Sequence, residues 1–290
     1  MDSDKAPFEG FVKITGAGPR WTGKVELIES KLEEPIHWRK PRLVFVNSMS
    51  DLFHEALSLR DKERIFRVML SSPRHTFQIL TKRAKLMSEQ VPQIMYRIFG
   101  PHWTMPGFIH LGVSVEDQET ADERIPHLLR TPAAVRFVSY EPALGPVDFR
   151  KWFDEGLECN YCEMWRGTEA EAKLDGNEED PGFLCPNCGE SCAHLPVDER
   201  LDQVIIGGES GAGGRPFDLQ WARNTIAQCK AAGILCFFKQ AGSNAMLNNK
   251  RLLLHDRKGG ELSELPADLN VREIPNALQR STEGKGKSTS

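Results

Sequence analysis

Leu43-Val44-Phe45-Val46 runs straight into Asn47-Ser48, an apolar tetrapeptide that turns polar at its C-terminal end. The same change recurs downstream. Phe77-Gln78-Ile79-Leu80 meets Thr81-Lys82, Ile109 to Val113 meets Ser114 and Glu116, and Val135 to Val138 meets Ser139 and Glu141. Val204-Ile205-Ile206 meets Gly207-Gly208-Glu209-Ser210, and Leu235 to Phe238 meets Lys239-Gln240. Helix-like segments separate most of these runs. Strands covered on both faces have this pattern, because only their ends reach water. A further short candidate at 25–28 brings the expected strands to seven: 25–28, 43–49, 76–82, 109–115, 135–140, 203–209 and 235–239.

Alternation of strand and helix implies right-handed crossovers and a parallel sheet. A doubly wound sheet alternates too. Polar ends in nearly every unit, and no glycine-rich phosphate fingerprint after the first strand, favour a β/α barrel with its site at the strand C-termini. The expected fold is therefore α/β, an incomplete TIM-like (β/α) barrel of about seven strands. Helices are expected from Ser58, where Ser58-Leu59-Arg60-Asp61 resembles a capping box, over 84–98 and 118–130, and after Asp218. Gly233 suits the C-terminal end of the last.

The barrel is assigned to 9–153 and 201–280, an insertion to 154–200, and disordered tails to 1–8 and 281–290. With 290 residues, the chain accommodates one large domain plus an insertion. No apolar stretch approaches the roughly 18 residues that span a bilayer. The N-terminus lacks a signal-peptide core, so a cytoplasmic protein without membrane contact is expected. Residues 154–180 carry ten acidic side chains against Arg166 and Lys173, leaving the rest of a net −4 chain net +4. Such a run is usually a solvated surface, and it disfavours phosphate-backbone binding by the insertion itself.

Cys159-Asn160-Tyr161-Cys162 and Cys185-Pro186-Asn187-Cys188 are two C-x2-C pairs, 22 residues apart. Two knuckles of this spacing complete a tetrahedral tetrathiolate site, which points to a structural zinc in a ribbon-like insertion. Gly189 suits the second knuckle, and Cys192 and His194 are spare ligands. Four unconnected cysteines are the plainer alternative. Cys229 and Cys236 lie on apolar faces and are expected in the core.

Gly207, Gly208, Glu209, Ser210 and Arg215 form a candidate ligand loop. Its glycines let backbone amides approach a ligand, Glu209 accepts from an amine, and Arg215 holds a carboxylate or phosphate. A purely conformational glycine loop is the alternative. Asp51 and His54 are an acid–base or metal candidate, or else a helix-turn cap and a surface histidine. Lys82, Glu116, Glu141 and Lys239 complete a mixed-charge ring, suited to a zwitterionic ligand or to a salt-bridge network that satisfies itself, with Lys82 meeting an anionic ligand or pairing with Glu116 or Glu141.

Taken together, several blocks resemble a family of phage and prophage proteins, the three-Cys-motif or gp-thirty-seven/gp-sixty-eight family. They include Trp38-Arg39-Lys40-Pro41, Phe45-Val46-Asn47-Ser48-Met49-Ser50-Asp51-Leu52-Phe53-His54, Leu111-Gly112-Val113-Ser114-Val115-Glu116 and Val204-Ile205-Ile206-Gly207-Gly208-Glu209. Family members look like radical S-adenosylmethionine proteins with an N-terminal three-cysteine loop for a four-iron cluster. No cysteine precedes Cys159 here. The resemblance therefore implies a truncated or cluster-less member without a 4Fe-4S cluster, inactive in radical chemistry, its missing strand the barrel's first. It also implies S-adenosylmethionine contact by Gly207, Gly208 and Glu209. The substrate is unidentified. The alternative is a non-catalytic zinc-ribbon scaffold for a protein or nucleic-acid partner.

Overall fold

A computed structural model of the chain describes residues 10–16, 18–47, 50–153, 157–159, 166–167, 173–177, 180–186, 188–190, 192–194 and 200–275. Ser48, Cys162 and the two expected tails lie outside them.

Six of the expected strands form one parallel sheet: β1 Leu43–Val46, β2 Thr76–Thr81, β3 Ile109–Val115, β4 Val135–Tyr140, β5 Gln203–Gly207 and β6 Leu235–Gln240. Their order in space is their order in sequence, and every neighbouring pair is parallel. A doubly wound sheet reverses order at a switch point, and this one never does. The sheet is a curled half-barrel. Four long helices make the crossovers: α1 Leu59–Leu70, α2 Ala84–Phe99, α3 Gln118–Arg130 and α4 Leu219–Ala232. Between β4 and β5 the chain instead makes a 3-10 turn, Arg150–Trp152, and enters the insertion.

The expected strand at 25–28 is not one. Residues 22–28 have no regular structure. Val25 and Leu27 are half-buried and alternate with exposed Lys24 and Glu26. That imitates the period of a strand, but the apolar pair packs on the core without backbone pairing. An antiparallel hairpin, Val12–Thr15 with Gly18–Trp21, precedes it, and two short helices, Glu29–Leu32 and Glu34–His37, follow.

Register assigns the faces. Phe77, Ile79, Leu111, Val113, Val138, Tyr140, Val204 and Ile206 point to the convex side and merge with the helix stripes into one core. Phe66 and Met69 of α1, Met87 and Val91 of α2, Leu128 of α3 and Leu219 of α4 meet them there. Each such side chain contributes about 1.5–3 kcal/mol through burial. Local signals fix the helix ends. Ser58 Oγ accepts from the Asp61 amide at 3.1 Å, Asp117 and Thr120 make a reciprocal capping box, and Gly233 closes α4 at φ +66°.

The concave side is covered over the middle strands, where His110, Val135, Phe137 and Gln203 are buried, but departs from the expectation of two covered faces at β1. Leu43 is 53% and Phe45 44% exposed there, and Leu80, Ile205 and Phe237 are half-buried. Phe137 fills part of it by lying over Gly112, where an added Cβ would stand 2.5 Å from the ring. The β6 edge is closed by residues 271–273: the Phe238 amide donates to Val271 at 2.7 Å and the Glu273 amide to Cys236 at 2.9 Å. Among the described residues no strand pairs with the outer edge of β1.

Candidate functional site

The polar residues that follow each strand gather along one rim of the half-barrel. After β1, the Asp51 carboxylate accepts from Thr81 Oγ1 at 2.7 Å, the Phe53 amide at 2.9 Å, Arg83 at 3.0 Å and the Lys82 amide at 3.2 Å. These bonds pin the loop after β1 to the end of β2. His54 Nδ1 accepts from the Ala56 amide at 3.1 Å, which assigns the ring proton to Nε2. Asp51 and His54 share only a backbone hydrogen bond of 3.1 Å, so their side chains do not form the acid–base pair considered from the sequence.

Farther along the rim, Lys82 meets Glu116 at 2.5 Å, and Arg124 takes the other carboxylate oxygen at 2.9 Å. Lys239 and Gln240 both donate to Glu141, at 2.8 and 3.0 Å. Arg215 grips Glu209 through its guanidinium at 2.8 and 3.2 Å and through its own amide at 3.0 Å. That contact lowers the Glu209 carboxyl below its ordinary range and raises Arg215. Both groups face water, so the pair adds little to stability. As arranged, the ring of charges is satisfied within itself.

The glycine loop has a steric reason of its own. A Cβ on Gly207 would stand 2.9 Å from the Glu141 carboxyl carbon, and one on Gly208 only 2.3 Å from the Ala241 carbonyl oxygen. The loop thus lies against the 241–244 turn, with Ser210 exposed at its outside.

A cavity of about 750 Å³ opens at the other half of the rim, over β1–β3. The N-terminal segment roofs it with Trp21, Val25, Leu27 and Ile28, while Asp51, His54, Lys82, Arg83 and Ser114 lie on the strand side. Its size is within the range of small-molecule sites. Glu141, Lys239 and residues 207–215 do not line it. The rim is therefore divided into an open half and a packed half. Charge still links them, because Glu116 contributes to raising Arg215. Among the described residues that line it there is no cysteine.

Two buried titratable groups were not singled out from sequence. Lys62 of α1 is 1% exposed and donates to Gln90 at 2.8 Å; burial lowers its pKa. Its signal was a lysine on the apolar stripe of Leu59, Phe66 and Met69. His110 is also 1% exposed, on the concave face beside Gln78. Neither ring nitrogen completes a hydrogen bond; the Gly107 backbone is near enough only to favour the charged form slightly. Burial pushes the ring down to about 4.

In the insertion, the Gly189 amide donates to the Cys185 carbonyl at 2.9 Å and the Cys185 amide to Glu190 at 2.8 Å, with Gly189 at φ +78°. The strand Leu157–Cys159 pairs antiparallel with Cys192–His194, setting Cys159 opposite Cys192. Cys162 falls outside the described residues, as does the Cys159 side chain. Among the described residues no three His, Cys, Asp or Glu side chains form a metal-holding group. Cys229 and Cys236 are buried in the core, and the Cys236 thiol together with burial pushes the Cys229 thiol up.

Among the described residues no helix is long and apolar enough to cross a membrane. No curated protein and no solved structure matches the chain. A family profile does match, over residues 4–285, and on that extent the chain belongs to DUF5131, a family of proteins of unknown function.

Proposed function

We propose that the half-barrel binds a small ligand with an apolar body and a zwitterionic end, of the S-adenosylmethionine class, at its C-terminal rim. The cavity of about 750 Å³ is the observation behind this: its roof sets Trp21, Val25, Leu27 and Ile28 among Lys24, Glu26 and Lys31, and its floor carries opposite charges. An incoming ammonium can exchange with Arg83 on the Asp51 carboxylate, and an incoming carboxylate can take Lys82 from Glu116. The resemblance to radical S-adenosylmethionine proteins of phage and prophage implies contact by Gly207, Gly208 and Glu209 as well, which lie beyond the cavity lining on the packed half of the rim. No step of this proposal runs through an iron–sulfur cluster. The test is calorimetric titration with S-adenosylmethionine and S-adenosylhomocysteine. Saturable binding, weakened about tenfold by Lys82→Ala, supports the assignment. Absence of heat and of any thermal shift at about 1 mM of either compound removes it.

We also propose a structural zinc held by Cys159, Cys162, Cys185 and Cys188. The backbone turn from Cys185 to Glu190, with Gly189 at positive φ, favours it, because a knuckle must turn both thiolates toward one point. With four thiolates there is no open position for chemistry, so the insertion serves as a scaffold for a partner. Metal analysis of the purified protein is expected to give about one zinc per chain. Unchanged zinc content in the Cys159→Ser, Cys162→Ser double variant overturns the assignment.

A further inference from the structure

The opposite rim, where the strands begin, has a different character. Between Glu34 and Asp51 the sequence contains no carboxylate, and between Glu63 and Glu116 it contains only Glu89. For a chain of net charge −4 this is a concentrated gap, and Arg39, Lys40, Arg42, Arg74 and Arg97 fall inside it. The fold brings these stretches side by side. The Thr76 amide donates to the Arg42 carbonyl at 2.9 Å and the Phe77 amide to Phe108 at 2.7 Å, so the segments entering β1, β2 and β3 are adjacent.

Side-chain contacts tighten the cluster. Arg74 donates to the carbonyls of Trp38, at 2.7 Å, and Ile36. The Arg42 guanidinium lies 4.5 Å from the centre of the Trp38 ring, and its amide donates to His75 Nδ1 at 3.2 Å. Arg39 and Lys40 occupy the exposed loop between Trp38 and Arg42. None of Arg39, Lys40, Arg42, Arg74 and Arg97 takes part in an ion pair among the described residues. The carboxylates nearest in sequence are Glu29 and Glu34, which are engaged by Arg64 and Lys31, and exposed Glu33 and Glu89, neither of which pairs with these cations among the described residues. On the C-terminal rim every cation discussed above has a carboxylate; here positive charge stands uncompensated.

Aromatic surface lies along the same rim. Tyr96 is 60% and Phe99 51% exposed on the last turn of α2, and a shallow hollow is lined by Tyr96, Arg97 and Trp103. We propose that the N-terminal rim of β1–β3 binds single-stranded nucleic acid. Phosphates sit on Arg39, Lys40, Arg42 and Arg74, and bases stack against Tyr96 and Phe99. Exposed aromatic faces favour a single strand, because a duplex keeps its base faces stacked inside. The site is at the opposite ends of the strands from the ligand cavity and does not depend on it.

The test is fluorescence anisotropy of the full chain with a labelled mixed-sequence DNA or RNA strand of about 20 nucleotides. Binding is expected to weaken steeply as salt rises. The Arg39→Glu, Lys40→Glu variant should lose at least about tenfold in affinity at 100 mM salt and flatten the logarithmic salt slope by about 1.4. Tyr96→Ala with Phe99→Ala should lose about tenfold, with the salt slope unchanged. Thermal melts matching the parent establish that both variants are folded, as their exposed positions allow. Wild-type affinity in the charge-reversed variant overturns the proposal. So does salt-independent binding, or binding to phosphatidylserine vesicles with none to the oligonucleotide.

Discussion

Lys239 and Glu141 are 98 residues apart in the chain and meet at 2.8 Å across the C-terminal rim. The insertion lies between them in sequence, yet their strands are separated in the sheet only by β5. The side chain of Glu141 is largely covered, while that of Lys239 is half exposed.

Replacing each partner should therefore have unequal effects. Lys239→Ala leaves Glu141 with the Gln240 amide and is expected to cost under about 1 kcal/mol. Glu141→Ala leaves the Gln240 amide short of an acceptor and opens space against Gly207, with an expected cost of about 1–3 kcal/mol. Urea unfolding of both variants checks the asymmetry, and equal costs contradict it.

Gly112 is required by the ring of Phe137, which stands 2.5 Å from the position of an added Cβ. Gly112→Ala is expected to destabilise by about 1–3 kcal/mol. Phe137→Leu in the same chain should recover part of that loss. Gly208→Ala meets a backbone oxygen at 2.3 Å instead, so no side-chain substitution should rescue it. Thermal melts of the three variants distinguish these cases.

His110 makes stability depend on pH in one direction. Its folded value, about 4, lies below its ordinary 6.5, so the unfolded chain binds the proton first as pH falls. The contribution is fully present above pH 6.5 and declines toward pH 4, by about 3 kcal/mol in total. His110→Gln should flatten this part of the pH profile of unfolding free energy. A profile unchanged by the substitution assigns the acid sensitivity elsewhere.

Lys62 occupies an apolar stripe, where burial disfavours its charged form. Lys62→Met should be neutral or stabilise the chain by about 1 kcal/mol, since Gln90 is half-buried and can turn to water. A loss of several kcal/mol in chemical denaturation means that the ammonium and Gln90 are coupled more strongly than one hydrogen bond.

The strands at 109–115 and 135–140 were legible to the residue, because their apolar runs change to polar residues at the C-terminal end, even though the fold buries Ser114, Glu116 and Ser139. The helices after Ser58 and Asp218 were legible from their caps. Residues 25–28 misled because alternating burial and strand pairing leave the same periodicity. Exposure of Phe45 was hidden as well, since a run of apolar residues does not show that the sheet stays open on one face at its β1 end. At the rim, the sequence yielded the charged residues and, for Lys82, two candidate partners, Glu116 and Glu141, without choosing between them. Glu116 meets Lys82, 34 residues away, and Asp51 meets Thr81 rather than His54, choices made by strand adjacency alone. The division of the rim into a cavity and a packed half depends on where the N-terminal segment lies, which no local pattern encodes.

Each strand of the sheet is laid beside the one synthesised just before it. The polypeptide can therefore add one β/α unit at a time as it leaves the ribosome, with no gap held open for a later segment to be threaded in. Residues 271–273, which emerge after it, then seal the border left by the final strand. Assembly in this order makes the growing front the only sticky margin at any moment, apart from the one that β1 carries from the start.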